Sequence, residues 1–196
     1  MIHIHCLPLG LYQTNTYIVS KDDCKRCIVI DPGYDAGTIL NRTALLGLEI
    51  EAILLTHGHF DHVGAVRQIA ADTDCQVFIH ENELTLPAAM TDGPLYYTHL
   101  YPAEGKLHLA DMDILVLPTP GHTPGSVCLL TGDVMFSGDT LFAGSMGRCD
   151  FPGSSIFDMR KSMKKLCTLA GDYRVFPGHA ESTTLETERK TNPYLR

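Results

Sequence analysis

The stretch Ala52-Ile53-Leu54-Leu55-Thr56-His57-Gly58-His59-Phe60-Asp61-His62 decides how this chain folds and what it can do. Its first four residues are uninterrupted apolar, the pattern of a short strand buried on both faces. From that strand the chain passes straight into His57, His59, Asp61 and His62. Residues i and i+2 of an extended segment project to the same side, so His57 and His59 can share one ion. Asp61 and His62 fall where the chain turns into a following helix and can face a second ion nearby. Neutral imidazole combined with carboxylate suits Zn²⁺, Fe²⁺ or Mn²⁺. A tag remnant would sit at a terminus and lack the interposed acid.

Three later residues turn the cluster into a site. His122 lies in Thr119-Pro120-Gly121-His122-Thr123-Pro124-Gly125, after an expected strand over 114–117. Asp139 lies in Ser137-Gly138-Asp139-Thr140, after a strand over 134–136, and His179 in Pro177-Gly178-His179, after a strand over 174–176. Each time a β-run ends, a glycine permits a tight turn and a metal-ligating residue follows. Ligands delivered from several strand ends to one rim are how rigid elements build a metal centre.

Around these landmarks strands and helices interleave. Runs at 17–20 and 27–30 flank a polar turn and predict a hairpin, closed by Asp31-Pro32-Gly33. Further strands are expected at 77–79 and 127–130. Helices are expected over 36–46, 63–71, 81–90 with a break at Pro87, 154–170 with Ser154 or Ser155 as N-cap, and 183–190. No repeat or linker divides the chain, so residues 1–196 read as a single domain of mixed sheets covered by helices. The segment 88–106 lacks a pattern and reads as a long loop of functional type, with Tyr96 and Tyr97 as candidate walls of a substrate pocket.

Composition narrows the partners. Lys+Arg number 15 against Asp+Glu 23, for a net charge of −8, which opposes binding to nucleic acid through phosphate neutralisation. No run approaches the ~20 apolar residues of a membrane helix, so no membrane partner is expected. No secretory signal is visible at 1–8, and the seven scattered cysteines suit reduced thiols, so the expected location is cytoplasmic. Cys24-Lys25-Arg26-Cys27 has metal-ligand spacing but sits in a hairpin turn with no second pair. His3 and His5 read as an exposed strand face, and nothing specifies an oligomeric state.

The set His57-x-His59-x-Asp61-His62, then His122, Asp139 and His179, resembles the metallo-β-lactamase-fold hydrolases over essentially the whole chain. Gly138-Asp139-Thr140-Leu141-Phe142 with Gly147-Arg148 narrows the likeness to the short, single-domain glyoxalase II-like (hydroxyacylglutathione hydrolase-like) branch. The resemblance implies an α/β (α+β) fold, a four-layer αβ/βα sandwich of two mixed β-sheets flanked by helices with the metals at one edge. It implies two divalent metal ions, Zn²⁺ first and Fe or Mn as alternatives. His57, His59 and His122 would bind one ion, Asp61, His62 and His179 the other, with Asp139 bridging. Asp31 would act as a supporting aspartate that orients a ligand. The C-terminal helical domain of two-domain glyoxalase II enzymes is not expected. The bridging aspartate speaks against antibiotic hydrolysis as the native role.

The implied activity is a metal-dependent thioester hydrolase acting on a small molecule such as S-lactoylglutathione. Two cations bring the pKa of a bridging water from roughly 16 toward ~7, and the resulting hydroxide attacks the carbonyl, with Asp61 and Asp139 as catalytic carboxylates. A thiolate leaving group, of pKa about 8.5, departs without a strong general acid. Arg148 falls at a basic substrate-contacting position of the family, while Asp150 would repel a glutathione carboxylate. The alternative in another reaction class is a mononuclear-iron persulfide dioxygenase, which the chain resembles through His57, His122 and Asp139. A non-catalytic metal-binding relic is the third reading, and a nuclease conflicts with the acidic charge.

Overall fold

The computed structural model describes residues 1–195. One six-stranded sheet holds β1 (Ile2–Leu9), β2 (Thr14–Lys21), β3 (Arg26–Ile30), β4 (Glu49–Leu54), β5 (Gln76–Ile79) and β6 (His99–Leu100), side by side in chain order. The second six-stranded sheet is built from β7 (Lys106–Leu109), β8 (Met112–Pro118), β9 (Val127–Thr131), β10 (Val134–Gly138), β13 (Arg174–Pro177) and β14 (Thr183–Thr184), in the order β14-β13-β10-β9-β8-β7. A small hairpin, β11 (Leu141–Phe142) with β12 (Ser145–Met146), projects beside it.

Strand alternation explains why four layers form. Tyr17, Val19, Ile28, Ile30, Ala52 and Leu54 turn one way from the first sheet and meet Val127, Leu129, Val134 and Phe136 of the second. Ile18, Val29, Ile53 and Val77 turn the other way, onto Ile39 of α1 (Ala36–Leu45) and Val66 and Ile69 of α3 (Val66–Thr73). Cys128, Leu130, Met135 and Val175 cover the outer face of the second sheet, against α5 (Ile156–Cys167) and α6 (Leu185–Thr191). Residues on both faces of the central strands are thus apolar, as the unbroken run at Ala52–Leu55 requires. Helix α5 buries Met159, Ser162, Met163 and Leu166, a single helical stripe, and Ser155 caps it by accepting from the Asp158 N–H.

Some elements differ from the expectations. The helix expected at 63–71 begins earlier, as the single turn α2 (Phe60–Val63), and resumes as α3. The stretch 81–90 is a 3-10 turn (Glu81–Thr85) followed by α4 (Ala88–Thr91), because Pro87 interrupts the ladder. Residues 88–106 are not one long loop: they hold α4 and β6, which pairs in parallel with the edge of β5. Two-residue strands carry no periodicity, so such pairing leaves no mark in sequence.

Topology gathers the site. Strands β3 and β4 are parallel neighbours, as are β10 and β13, so their carboxyl ends open at the same rim of each sheet. The two rims are stitched together: the Asn15 N–H donates to Gly178 O at 2.7 Å, the Tyr17 hydroxyl to Pro177 O at 2.6 Å, and the Val127 N–H to Thr56 O at 2.9 Å. No helix among the described residues is long and apolar enough to cross a membrane.

Candidate metal centre

Asp31 is the first residue beyond β3, and its left-handed backbone (φ 49°) turns the chain so that its carboxylate reaches the end of β4. There the Thr56 N–H donates to Asp31 Oδ1 at 2.8 Å and the Thr56 hydroxyl to Oδ2 at 2.5 Å. The same Oδ2 accepts from His62 Nδ1 at 2.9 Å. His59 occupies the N-cap of α2, which places Asp61 and His62 in the helix's single turn. Asp61 is held in turn by the Thr14 hydroxyl, donating to its Oδ2 at 3.1 Å. His122 leans on Arg148 O through Nδ1 at 2.9 Å, and His179 on Tyr12 O through Nδ1 at 3.1 Å.

Those contacts settle which nitrogen is free. A carbonyl or carboxylate accepts only from an N–H, so Nδ1 carries a proton in His62, His122 and His179, and Nε2 is the nitrogen left to face the rim. His57 follows the same logic, its Nδ1 lying 3.1 Å from the Thr56 oxygen, whose own proton is given to Asp31. Pinning the far nitrogen in this way is what metal-binding histidines require.

The free atoms converge. Donor atoms of His57, His59 and His122 all lie within 4.8 Å of one another, and so do those of Asp61, His62 and His179. His122 Nε2 stands 2.9 Å from His59 Nδ1, and His62 Nε2 stands 3.3 Å from His179 Nε2. Asp139 lies between the trios: Oδ2 is 3.4 Å from His122 Nε2 and 3.6 Å from His179 Nε2, while Oδ1 is 3.5 Å from His62 Nε2. Gly178 makes this approach possible, since a Cβ there would collide with the Asp139 carboxylate and come within 2.7 Å of His62 Cε1.

Buried atoms without partners test whether cations fit. His57 Nε2, His59 Nε2 and Asp139 Oδ1 are buried and make no hydrogen bond. His59 turns Nδ1 toward His122, so it is the unpartnered His57 Nε2 and Asp139 Oδ1 that an ion among the converging donors explains. The proton affinities agree. Burial, reinforced by the neighbouring imidazoles, holds His57 well below the ordinary histidine value and pushes His59 down to about 3. Burial would also discharge His62, but the Asp139 and Asp31 carboxylates outweigh it and lift the group to about 9. For Asp61 burial acts upward and is overcome by the hydrogen bond from His179 and the field of His62, which keep the carboxylate below its usual range. The arrangement calls for positive charge at the second trio and neutral ligands at the first. Asp31 groups geometrically with His57 and His62, yet its oxygens are already committed to Thr56 and His62, so it supports and does not ligate.

A model of the metallo-beta-lactamase superfamily matches residues 9–179. The chain belongs to that superfamily. A Bacillus subtilis (strain 168) relative named probable metallo-hydrolase YqgX is 36% identical over 203 residues, spanning 96% of this chain and 95% of the relative. Hydroxyacylglutathione hydrolase GloC of Haemophilus influenzae is 31% identical over 209 residues, spanning 99% of this chain and 98% of its own length. Among solved structures, BLEG-1 B3 metallo-beta-lactamase superposes with a TM-score of 0.90 at 35% identity, covering 98% of this chain and 99% of that one. TTHA1623 in a di-iron-bound form superposes with a TM-score of 0.83 at 37% identity, covering 97% of this chain and all (100%) of that one. Superfamily membership and metallo-hydrolase relatives support a metal-dependent hydrolase.

The superfamily rim opens into a cavity of about 800 Å³ that reaches His59, His122, Asp139 and His179. Its walls are largely apolar, from Tyr12, Phe60, Met90, Phe142, Met146 and Phe151, with Arg148 at the mouth. The expected role of Tyr96 and Tyr97 is corrected here. Tyr96 packs toward the helical side of the first sheet with Arg67 5.3 Å from its ring centroid, and Tyr97 borders a separate depression with Leu86 and Leu95. The cause is the pairing of β6 with β5: the Thr98 N–H donates to Val77 O at 3.0 Å, which carries the tyrosines along the sheet edge and away from the rim. Tyr12, Phe142 and Phe151 take the place those residues were expected to fill. The contribution of Thr14 also went unforeseen; its one trace in sequence is the polar triplet Thr14-Asn15-Thr16 opening a strand, all of it buried.

Proposed function

We propose that this chain hydrolyses a small-molecule thioester, a hydroxyacyl-thiol conjugate of the S-lactoylglutathione type, at a centre of two divalent cations. His57, His59 and His122 would hold one ion and Asp61, His62 and His179 the other, with the Asp139 carboxylate in reach of both trios. The observation that carries this reading is the Asp139 carboxylate, lying within 3.6 Å of donors from both trios while its Oδ1 is buried and unpartnered. The name of the Haemophilus influenzae relative supports the substrate class. Cations held there supply Lewis acidity that brings the pKa of water toward ~7 and polarises a carbonyl.

The protein's own groups do the rest. Asp61, kept ionised and fixed by Thr14, accepts a hydrogen bond from the attacking water and orients it. The apolar walls at Phe142 and Phe151 exclude bulk water from the acyl group. No side chain need protonate the leaving group, since a thiolate of pKa about 8.5 is stable enough to depart. Residues 1–196 act as a single domain, and the reaction takes place in the cytoplasm, where the seven cysteines, all unpaired, stay reduced.

The test is elemental analysis of the purified protein read beside a substrate panel. Two Zn, Fe or Mn per chain and chelator-sensitive turnover of S-lactoylglutathione or a simpler lactoyl thioester are expected. One iron per chain with oxygen consumption on glutathione persulfide would assign the dioxygenase reading instead. A fully metallated protein that opens a β-lactam and leaves every thioester intact would sink the proposal.

A further inference from the structure

Glu83 lies outside every motif discussed so far, in the 3-10 turn that follows β5, and its side chain is wholly buried, at 0% exposure. A carboxylate in that position costs desolvation energy, and burial pushes its proton affinity up on balance, although donors can offset part of that rise. Three do. Oε2 accepts the Gly58 N–H at 2.5 Å, and Oε1 accepts both the Gly125 N–H at 2.7 Å and the Thr123 hydroxyl at 2.6 Å.

The placement of those donors is what matters. Gly58 stands between His57 and His59, and Thr123 follows His122 directly. One planar group therefore grips both loops that deliver the imidazole trio, one loop with each oxygen. The two glycines are needed for the grip: a Cβ on Gly125 would lie 2.8 Å from Glu83 N and from Oε1, and one on Gly58 would lie 3.1 Å from Oε2. Thr123 is braced in turn by Ser126, whose hydroxyl lies 2.6 Å from the Thr123 hydroxyl and accepts its backbone N–H at 3.1 Å. The other trio has separate supports, Asp31 on His62 and Thr14 on Asp61.

We propose that Glu83 is the positioning residue of the imidazole trio, locking the His57–His59 loop to the His122 loop so that the three rings meet at one cation. The inference rests on the two-cation reading above and adds a selective role: the clasp serves one ion and not the other. An amide cannot replace the carboxylate, because one oxygen would become an NH₂ facing an N–H donor.

Full-length wild type and Glu83→Gln, stripped of metal by chelation, are titrated with Co²⁺ alone, followed by calorimetry and by the visible absorption of the bound ion. Wild type is expected to take up two Co²⁺ per chain. In Glu83→Gln one binding step should weaken by ~10–100-fold, with an altered visible spectrum for that step, while the other keeps its affinity. Thr123→Val, which removes one of the three donors and leaves the carboxylate, should weaken the same step by a smaller factor. It decides the matter if Glu83→Gln does not fold. A residue that served folding alone would lower the unfolding temperature of the metal-free protein and leave the two affinities in their original ratio. Equal weakening of both steps, or no change in either, overturns the proposal. A wild type that binds fewer than two ions overturns the two-cation reading instead.

Discussion

His57, His59 and His122 contribute three imidazoles and no carboxylate to one side of the rim, each with 4% exposure or less. Asp61, His62 and His179 on the other side mix an acid with two imidazoles, and the His179 side chain is 26% exposed. The same residue types are tuned in opposite directions. Burial and mutual repulsion keep His57 and His59 from taking protons, whereas His62, equally buried, is lifted to about 9 by Asp139 and Asp31. Carboxylate placement, not burial, sets the difference. In one trio His57 and His59 can accept a cation without displacing a proton, and the other is an anionic pocket that demands positive charge. The Asp139 carboxylate reaches donors of both.

The strongest way to break this comparison is to remove what the halves share. Asp139→Asn should lower turnover by more than ~100-fold, beyond what a supporting residue costs, and reduce the metal content of both trios. Metal analysis beside steady-state kinetics checks it; a variant with full metal and unchanged kcat would deny the carboxylate its joining role. Next in size is a paired experiment on the separate halves. His122→Ala should empty the imidazole trio, and His179→Ala the mixed one, so each variant retains one ion per chain. His179→Ala should keep the more residual affinity, because its trio retains the Asp61 carboxylate as well as the shared Asp139, whereas His122→Ala leaves only imidazoles beside Asp139. Equal, complete loss in both would mean that the two trios form a single binding unit.

The donors of both halves were legible in the sequence because they follow strand ends at fixed spacing. An i, i+2 pair of histidines after a four-residue apolar run has few structural meanings, and Gly121-His122 and Gly178-His179 repeat the pattern of turn and ligand. The strands themselves were readable where both faces are apolar, as at Ile28–Ile30 and Val127–Leu130. Asp31 apart, what supports the donors was not readable. Glu83 sits in Glu81-Asn82-Glu83 with nothing to mark it as buried, and its meaning comes only from loops 25 and 42 residues away in the chain. Tyr96 and Tyr97 failed as pocket walls because β6 is two residues long, and the pairing that diverts them is invisible to periodicity. Tertiary proximity without periodicity is the common cause.

A smaller effect separates the halves by pH in the metal-free protein. His59, lowered from 6.5 to about 3, contributes stability that is present above pH 6.5 and is lost as pH falls toward 3. His57 acts in the same direction. His62, raised from 6.5 to about 9, contributes stability that is complete below pH 6.5 and is lost as pH rises through 9. The unfolding midpoint of the stripped protein should therefore peak near pH 6.5 and fall on either side. His62→Gln should shrink the alkaline limb to the part that His179, also raised against burial by Asp61 and Asp139, contributes, and spare the acid one. Saturating metal should remove the alkaline limb as well, since a bound cation replaces the proton that the carboxylates hold.

The smallest expected effect lies at the mouth of the cavity, where tuning is weak because solvent is near. Arg148 Nε and Nη2 each donate to Asp150 at 2.7 Å, and the guanidinium lies 4.0 Å from the Phe151 ring centroid. The pair is exposed, 59% and 65%, so screening by water leaves it little influence on stability. Its influence on substrate choice is different, since an Arg already engaged by a carboxylate on both nitrogens offers less to a second one. Asp150→Asn should leave the unfolding temperature unchanged and lower KM by roughly 2–5-fold for thioesters whose thiol carries a carboxylate, with kcat constant. Thioesters of an uncharged thiol such as N-acetylcysteamine should not respond. If both substrate classes respond alike, the Asp150 charge reaches the reacting carbonyl, and the mouth belongs electrostatically with the rim.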